Sequence, residues 1–273
     1  MLKILVLGDI MGSIGRKALA KKLPTLRKKY AADLVIANCE NLAHGSGVTA
    51  KTLREIFAAG VDFCTSGNHI WDKKEELKKV LADKELANKI IRPANYKKIY
   101  RKLGEGYKII EAGGVKILII NLAGRVLMKN EGAKVQSPII ALERILEETK
   151  KKKPDVILID FHTEATSEKR ALGWFADGKA SLIWGTHTHT PTADFQIQPQ
   201  GAGYITDLGM TGARDAVIGE NKEMVIKSLI HKDSKLKHDI PEHGWAVIQG
   251  ICAEIDGMKT KKIKQILEEV NIK

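Results

Sequence analysis

Six short runs of apolar, largely β-branched residues punctuate the chain: KILVLG (3–8), DLVIAN (33–38), DFCTSG (62–67), VKILIINL (115–122), DVILIDF (155–161) and ASLIWG (180–185). Each is apolar at nearly every position instead of every second one, as expected of strands covered on both faces. Helix-like segments lie between them. Residues 14–29 read as a helix that Pro24 should end or kink, because proline lacks an N–H and crowds the preceding turn. Thr49 is placed to cap a helix over 50–59 that stops at Gly60. In SPIIALERILEETKKK (137–152), Ser137 is the candidate cap, Pro138 suits the first turn, and lysines crowd the negative C-terminal end. TSEKRALGWFADG (166–178) is a further helix with a glycine stop.

Later stretches read as hairpins. YKIIEAGG (107–114) leads into 115–122, and residues 246–267 turn at Asp256-Gly257, although 258–268 would also suit a short helix. The pattern predicts an α/β chain with much antiparallel structure towards its end. With no linker, repeat or low-complexity tract, residues 1–273 read as a single domain.

The polar residues that follow the apolar runs carry the chemistry. The first run ends at Asp9, the second in Asn38, Glu40 and Asn41, and the third in Asn68 and His69. The run at 155–161 ends in His162, and the run at 180–185 leads into His187 and His189. In open α/β sheets this C-terminal edge is where ligands bind. Singly, each residue has an ordinary role: Asp9 as a turn or cap residue, Asn41 and Asn68 as turn formers, His162 as a hydrogen-bonded core residue. Two histidines at i and i+2 on an extended segment would face one side and could share a ligand. Glu40 at the end of a buried strand is costly unless paired or bound to a cation.

Taken in series, these groups predict a metal site. Asp9, Glu40, Asn41, Asn68, His162, His187 and His189 are too many for one tetrahedral zinc, and no thiolate is evidently involved. The set suits two ions of intermediate softness, manganese or iron, with zinc or cobalt able to substitute. Cys39, pointing away from its neighbours on a strand, reads as a core residue.

Composition changes this picture little. The net charge is +12, from 45 basic and 33 acidic side chains. That is a solvated lysine surface or an attraction for anionic substrates, nucleotides or RNA. Cys39, Cys64 and Cys252 form no CxxC and are odd in number, so a reducing compartment is expected instead of a disulfide framework. The opening run is too short for a signal peptide and is broken by Asp9, and nothing approaches a membrane span. A cytoplasmic protein with no membrane partner is the expectation.

In this order the motifs resemble those of the calcineurin-like metallophosphoesterases: an Asp after the first strand, an acid after the second, GNH, a lone His, then G-x-H-x-H. LGDIMGSIGR, ANCENLAHGSG, TSGNHIWD, DFHTEATSEK, GTHTHTPTAD and YITDLGMTG, spanning residues 7–212, are similar to the YmdB-type branch of bacterial phosphodiesterases. The resemblance implies a four-layer α-β-β-α sandwich, with two mixed β-sheets face to face and helices outside. It implies that Asp9, Glu40, Asn41 and His189 hold one ion, and that Glu40 bridges to a second ion completed by Asn68, His162 and His187. His69 would be the catalytic histidine beside the metals.

The departures from the wider superfamily are specific. Met11 stands where most members have a histidine ligand, and Asn41 is its replacement. Glu40 stands for the usual bridging Asp. Ile70 follows GNH, leaving Asp72 as the nearest carboxylate able to orient His69. Arg16 and the GSG at 45–47 are candidates for phosphate or sugar contact, or equally a surface residue at a helix start and a flexible loop.

The activity implied is hydrolysis of cyclic nucleotides, notably 2′,3′-cyclic nucleotides to 3′-phosphates, by attack of a hydroxide shared between the ions. The alternatives are a phosphomonoesterase (nucleotidase or protein phosphatase) and a nucleotide- or RNA-binding regulator. Relatives also imply a homo-oligomer.

Overall fold

In a computed structural model the chain is described over residues 1–97, 103–128, 132–231 and 239–273. The strands are β1 (Leu2–Leu7), β2 (Asp9–Ile10), β3 (Leu34–Asn38), β4 (Phe63–Thr65), β5 (Tyr107–Ala112), β6 (Val115–Ala123), β7 (Val156–His162), β8 (Leu182–Thr186), β9 (Gln196–Ile197), β10 (Gly203–Ile205), β11 (Met210–Ala213), β12 (Gly244–Asp256) and β13 (Lys259–Ile272). The helices are α1 (Gly12–Tyr30), α2 (Ala50–Ala59), α3 (Lys74–Ala82), α4 (Lys84–Ala87), α5 (Pro138–Thr149), α6 (Thr166–Ala176) and α7 (Lys222–His231). All six apolar runs of the sequence are strands.

They form two mixed sheets. In the first, β1, β3 and β4 are parallel neighbours, and β12 pairs antiparallel with β1, β11 and β13. The second has the order β5-β6-β7-β8-β10-β9, parallel from β6 to β10. Strand alternation divides each buried run between two cores. Ile4, Val6 and Ile36 of the first sheet meet Ile119, Leu158 and Trp184 of the second. Leu5, Leu7 and Val35 turn outwards onto Ile14, Leu19 and Leu23 of α1 and Leu53 of α2. On the far side, Ile120, Ile159 and Phe161 pack against Leu142 and Ile145 of α5 and Leu172 of α6. This is the α-β-β-α sandwich expected, with each fully buried aliphatic side chain stabilising by about 1.5–3 kcal/mol relative to exposure.

Both hairpins are present: β5–β6 closes at Gly113-Gly114 and β12–β13 at Gly257-Met258, so 259–272 is strand and not helix. Thr49 caps α2 through a reciprocal bond with Thr52, and Gly60 ends it at φ 112°. Ser137 caps α5, with Pro138 in its first turn.

Pro24 does not end its helix. α1 runs unbroken through Pro24. Pro24 and Ala20, whose carbonyl loses its usual partner, both face solvent, so water serves that carbonyl. The buried stripe of Ile14, Ala18, Leu19, Leu23 and Leu26 continues past the proline and holds the helix on the sheet. Among the described residues no helix is long and apolar enough to cross a membrane. Cys39, Cys64 and Cys252 are free and buried.

Candidate metal centre

The parallel strands of both sheets run the same way, so their C-terminal ends meet on one rim. β1 leads into Asp9, the turn after β3 carries Glu40 and Asn41, and a 3₁₀ turn after β4 carries Asn68 and His69. β7 ends in His162, and β8 leads into His187 and His189.

The side chains gather in two adjoining groups. In the first, His162 Nε2 lies 3.1 Å from Glu40 Oε1, 3.1 Å from Asn68 Oδ1 and 3.1 Å from His187 Nδ1. Glu40, His162 and His187 each offer one ligand atom within 4.8 Å of the others. In the second, Asn41 Nδ2 lies 3.2 Å from His189 Nε2, which is 3.7 Å from Asp9 Oδ1. That last gap is too long for a hydrogen bond. Asp9 Oδ1 is buried with no hydrogen-bond partner among the described residues, an arrangement that a cation would compensate.

The donor set, of carboxylate and amide oxygens with imidazole nitrogens, suits transition-metal ions. Space is kept by Gly67, where an added Cβ would collide with His162 Nε2 and Glu40 Oε2. Its φ of −148° lies outside the left-handed region, and the close approach of these side chains is what an alanine would meet. Gly67→Ala is expected to leave the circular dichroism spectrum unchanged while bound metal, read by plasma mass spectrometry, falls towards zero. Metal retained at the wild-type level would show that the cradle lies elsewhere.

Electrostatics tune the clustered side chains in opposite directions. Burial alone would raise the pKa of Glu40, but His162, in contact, with His69 and His187 nearby, holds it down to about 2. Burial and the charge of His162 hold His187 down to about 3, so its imidazole is neutral and free to donate at physiological pH. Asp9 is pushed well above the usual carboxylate range, by burial first and then by the negative charges of Glu40, Asp207 and Asp160. A cation would reverse that shift. Below its raised pKa, Asp9 carries a proton that a metal must displace. Mn²⁺ uptake is therefore expected to release protons and to weaken as pH falls. Calorimetry in two buffers of different ionisation enthalpy checks this; pH-independent uptake with no proton release would contradict it.

A supporting layer lies behind the ligands. Thr186 Oγ1 bridges His162 Nδ1, at 2.9 Å, and Asp160 Oδ1, at 2.8 Å, which leaves His162 Nε2 facing Glu40. Asp160, also bonded by Thr65, is raised by burial to about 6 despite the polar contacts that oppose it. Glu164 Oε2 holds His187 Nε2 at 3.1 Å, leaving Nδ1 turned to the centre. Asp160, Glu164 and Gly67 are absent from the sequence reading. A charge inside the otherwise apolar run VILIDF (156–161) was a signal for Asp160.

His69 stands beside the ligands. Its backbone N–H donates to Glu40 Oε2 at 2.8 Å, and its Nδ1 lies 2.7 Å from Asp72 Oδ2. Ser46, within GSG 45–47, donates to the same Asp72 oxygen. Partial burial pushes Asp72 up, but the bonds from His69 and Ser46 outweigh it and leave the carboxyl below its ordinary range.

Two expectations change. His187 and His189 do not share a face of an extended strand: their φ angles are 99° and 60°, in the left-handed region. The turn between them sends His187 to Glu40 and His162, and His189 to Asp9 and Asn41. Met11, which the sequence reading leaves out of the ligand set, is buried against Gly212 and Gly219. Arg16 directs its guanidinium to Glu55, at 2.6 Å, and to the Leu42 carbonyl, so it braces the loop that carries Asn41 instead of facing the cluster.

Comparison with known proteins bears on this geometry. A family model described as YmdB-like protein matches residues 5–266. A 2′,3′-cyclic-nucleotide 2′-phosphodiesterase of Bacillus subtilis (strain 168) is 38% identical over 268 residues, covering 96% of this chain and 95% of the relative. Among solved structures, a novel phosphatase from Mycoplasma pneumoniae superposes with a TM-score of 0.90 at 35% identity, over 99% of this chain and 94% of its own. A hypothetical protein from Thermus thermophilus superposes with a TM-score of 0.88 at 35% identity, over 98% of this chain and 99% of its own.

Proposed function

The chain belongs to the YmdB-like protein family, and from that premise we propose that it is a metal-dependent phosphodiesterase that opens 2′,3′-cyclic nucleotides to 3′-phosphates. The observation that carries the reading is the buried, unpartnered Asp9 Oδ1 beside the Glu40–His162–His187 cluster. The whole chain, 1–273, works as one metallophosphoesterase domain.

Asp9, Asn41 and His189 would hold one ion and Asn68, His162 and His187 a second, with Glu40 placed beside both groups. Two ions, iron or manganese, with zinc or cobalt able to substitute, supply charge neutralisation on the phosphoryl oxygens and a water acidic enough to ionise near neutral pH. The remaining work falls to the chain. Burial of Asp9, Glu40 and His162 keeps bulk water from screening the phosphoryl charge. Asp72 holds His69 Nδ1, and Nε2 gives a proton to the departing 2′-oxygen. The strained five-membered ring of the substrate supplies part of the driving force.

Comparing bis-p-nitrophenyl phosphate with p-nitrophenyl phosphate on the metal-loaded protein tests the reading. The diester is expected to turn over faster; faster monoester hydrolysis would favour a phosphatase or nucleotidase. Binding of nucleotides without turnover would favour a regulator.

A further inference from the structure

A lysine of α6 lies fully inside the molecule. Lys169 and Asp207 are 2% and 1% exposed, and the Lys169 ammonium is bonded to Asp207 Oδ2. Burying a charge pair in place of two apolar side chains is not by itself a route to stability. What the pair touches suggests a purpose. Asp207 Oδ2 also accepts the backbone N–H of Thr188, at 3.3 Å, and Oδ1 accepts that of Gly209, at 2.9 Å. Thr188 sits between His187 and His189, both at positive φ, a conformation that strains a non-glycine residue unless the surroundings hold it.

The same residue closes the loop at both ends. The Asp207 carbonyl accepts the N–H of Thr192 at 3.1 Å, its N–H donates to Thr192 Oγ1 at 2.9 Å, and Leu208 N–H donates to the Gly185 carbonyl at 3.0 Å. Gly185 has no side chain where the lysine stem passes: a Cβ there would come within 2.8 Å of Lys169 Cδ.

We propose that the Lys169–Asp207 pair is a positioning device for the two metal-binding histidines, pinning Thr188 so that His187 and His189 are held in their left-handed turn and point into different halves of the centre. A carboxylate is needed because two backbone N–H groups and an ammonium converge on it. An amide has one acceptor oxygen, and its NH₂ would face a donor. The lysine neutralises that carboxylate without offering a lone pair to the metal. The inference rests on the metal-centre reading above.

The test measures Mn²⁺ affinity by competition with a chelating dye, alongside thermal midpoints of the metal-free proteins. Wild type is measured first: failure to bind Mn²⁺ refutes the metal-centre reading itself. With wild-type binding in hand, the double variant Lys169→Met/Asp207→Asn removes both charges at nearly constant volume. It is expected to fold and to bind Mn²⁺ about 10–100-fold more weakly, the range for groups that orient metal ligands. Wild-type affinity in that variant, whether or not its melting point drops, would overturn the proposal. Should it fail to fold, Asp207→Glu serves, since it keeps a carboxylate for the Lys169 ammonium while displacing it from the Thr188 N–H. It is expected to weaken Mn²⁺ binding at least tenfold, and unchanged affinity would again overturn the proposal.

Discussion

Replacing Glu40 with glutamine is expected to abolish turnover, by at least about 10³-fold, and to strip the centre of metal. Glu40 is 1% exposed and touches both halves of the machinery: His162 Nε2 through Oε1 and the His69 N–H through Oε2. With its pKa held down to about 2, the carboxylate is ionised near neutral pH and presents a negative charge that a cation at the centre would meet. Glutamine keeps the shape but presents one neutral oxygen. Losing the Lewis-acid contribution of the ions, worth several kcal/mol, accounts for three or more decades in rate at about 1.4 kcal/mol per decade. Metal analysis with turnover checks this. A Glu40→Gln protein that keeps its metal and more than about a tenth of its rate would remove Glu40 from the centre.

The second large effect separates chemistry from metal binding. His69→Ala is expected to lower kcat by about 10²–10⁴, the usual worth of a positioned acid, while metal content stays at the wild-type level. The separation follows from the geometry: His69 contacts Glu40 through its backbone N–H, which alanine retains, and its imidazole is turned to Asp72. Asp72→Asn is expected to give a smaller loss, since it removes only the restraint on the ring. Loss of metal in His69→Ala would make His69 part of the metal-binding set and overturn its role as the acid.

How much of this was legible in the sequence depends on how local each cause is. β1, β3, β4, β6, β7 and β8 were legible because burial on both faces writes itself as unbroken apolar runs. The residues at their ends followed, since parallel strands expose one functional edge. The opposite outcome at Pro24 came from tertiary packing: one solvent-facing ring does not outweigh a stripe of buried aliphatic side chains. His187 and His189 lie in the strand-end cluster, but on a left-handed turn that strand alternation does not show. Strand alternation was extended one step beyond Thr186, where the chain has already turned. The support from Asp160, Glu164, Lys169 and Asp207 arises from residues far apart in sequence. Lys169 and Asp207 stood within the stretches DFHTEATSEK and YITDLGMTG, yet nothing in either stretch indicates that an ammonium and a carboxylate would meet inside the fold. The short strands β2, β9, β10 and β11, of two to four residues, carry too few positions to show a period.

The central claim is that the strand-end cluster is a metal centre that opens cyclic phosphodiesters. The most direct measurement incubates the protein, stripped of metal and then reloaded with Mn²⁺, with 2′,3′-cyclic AMP and separates the products. The account predicts no turnover without metal, turnover on reloading, and 3′-AMP as the product. Metal-independent turnover, or an intact cyclic substrate under conditions where p-nitrophenyl phosphate is hydrolysed, would contradict it.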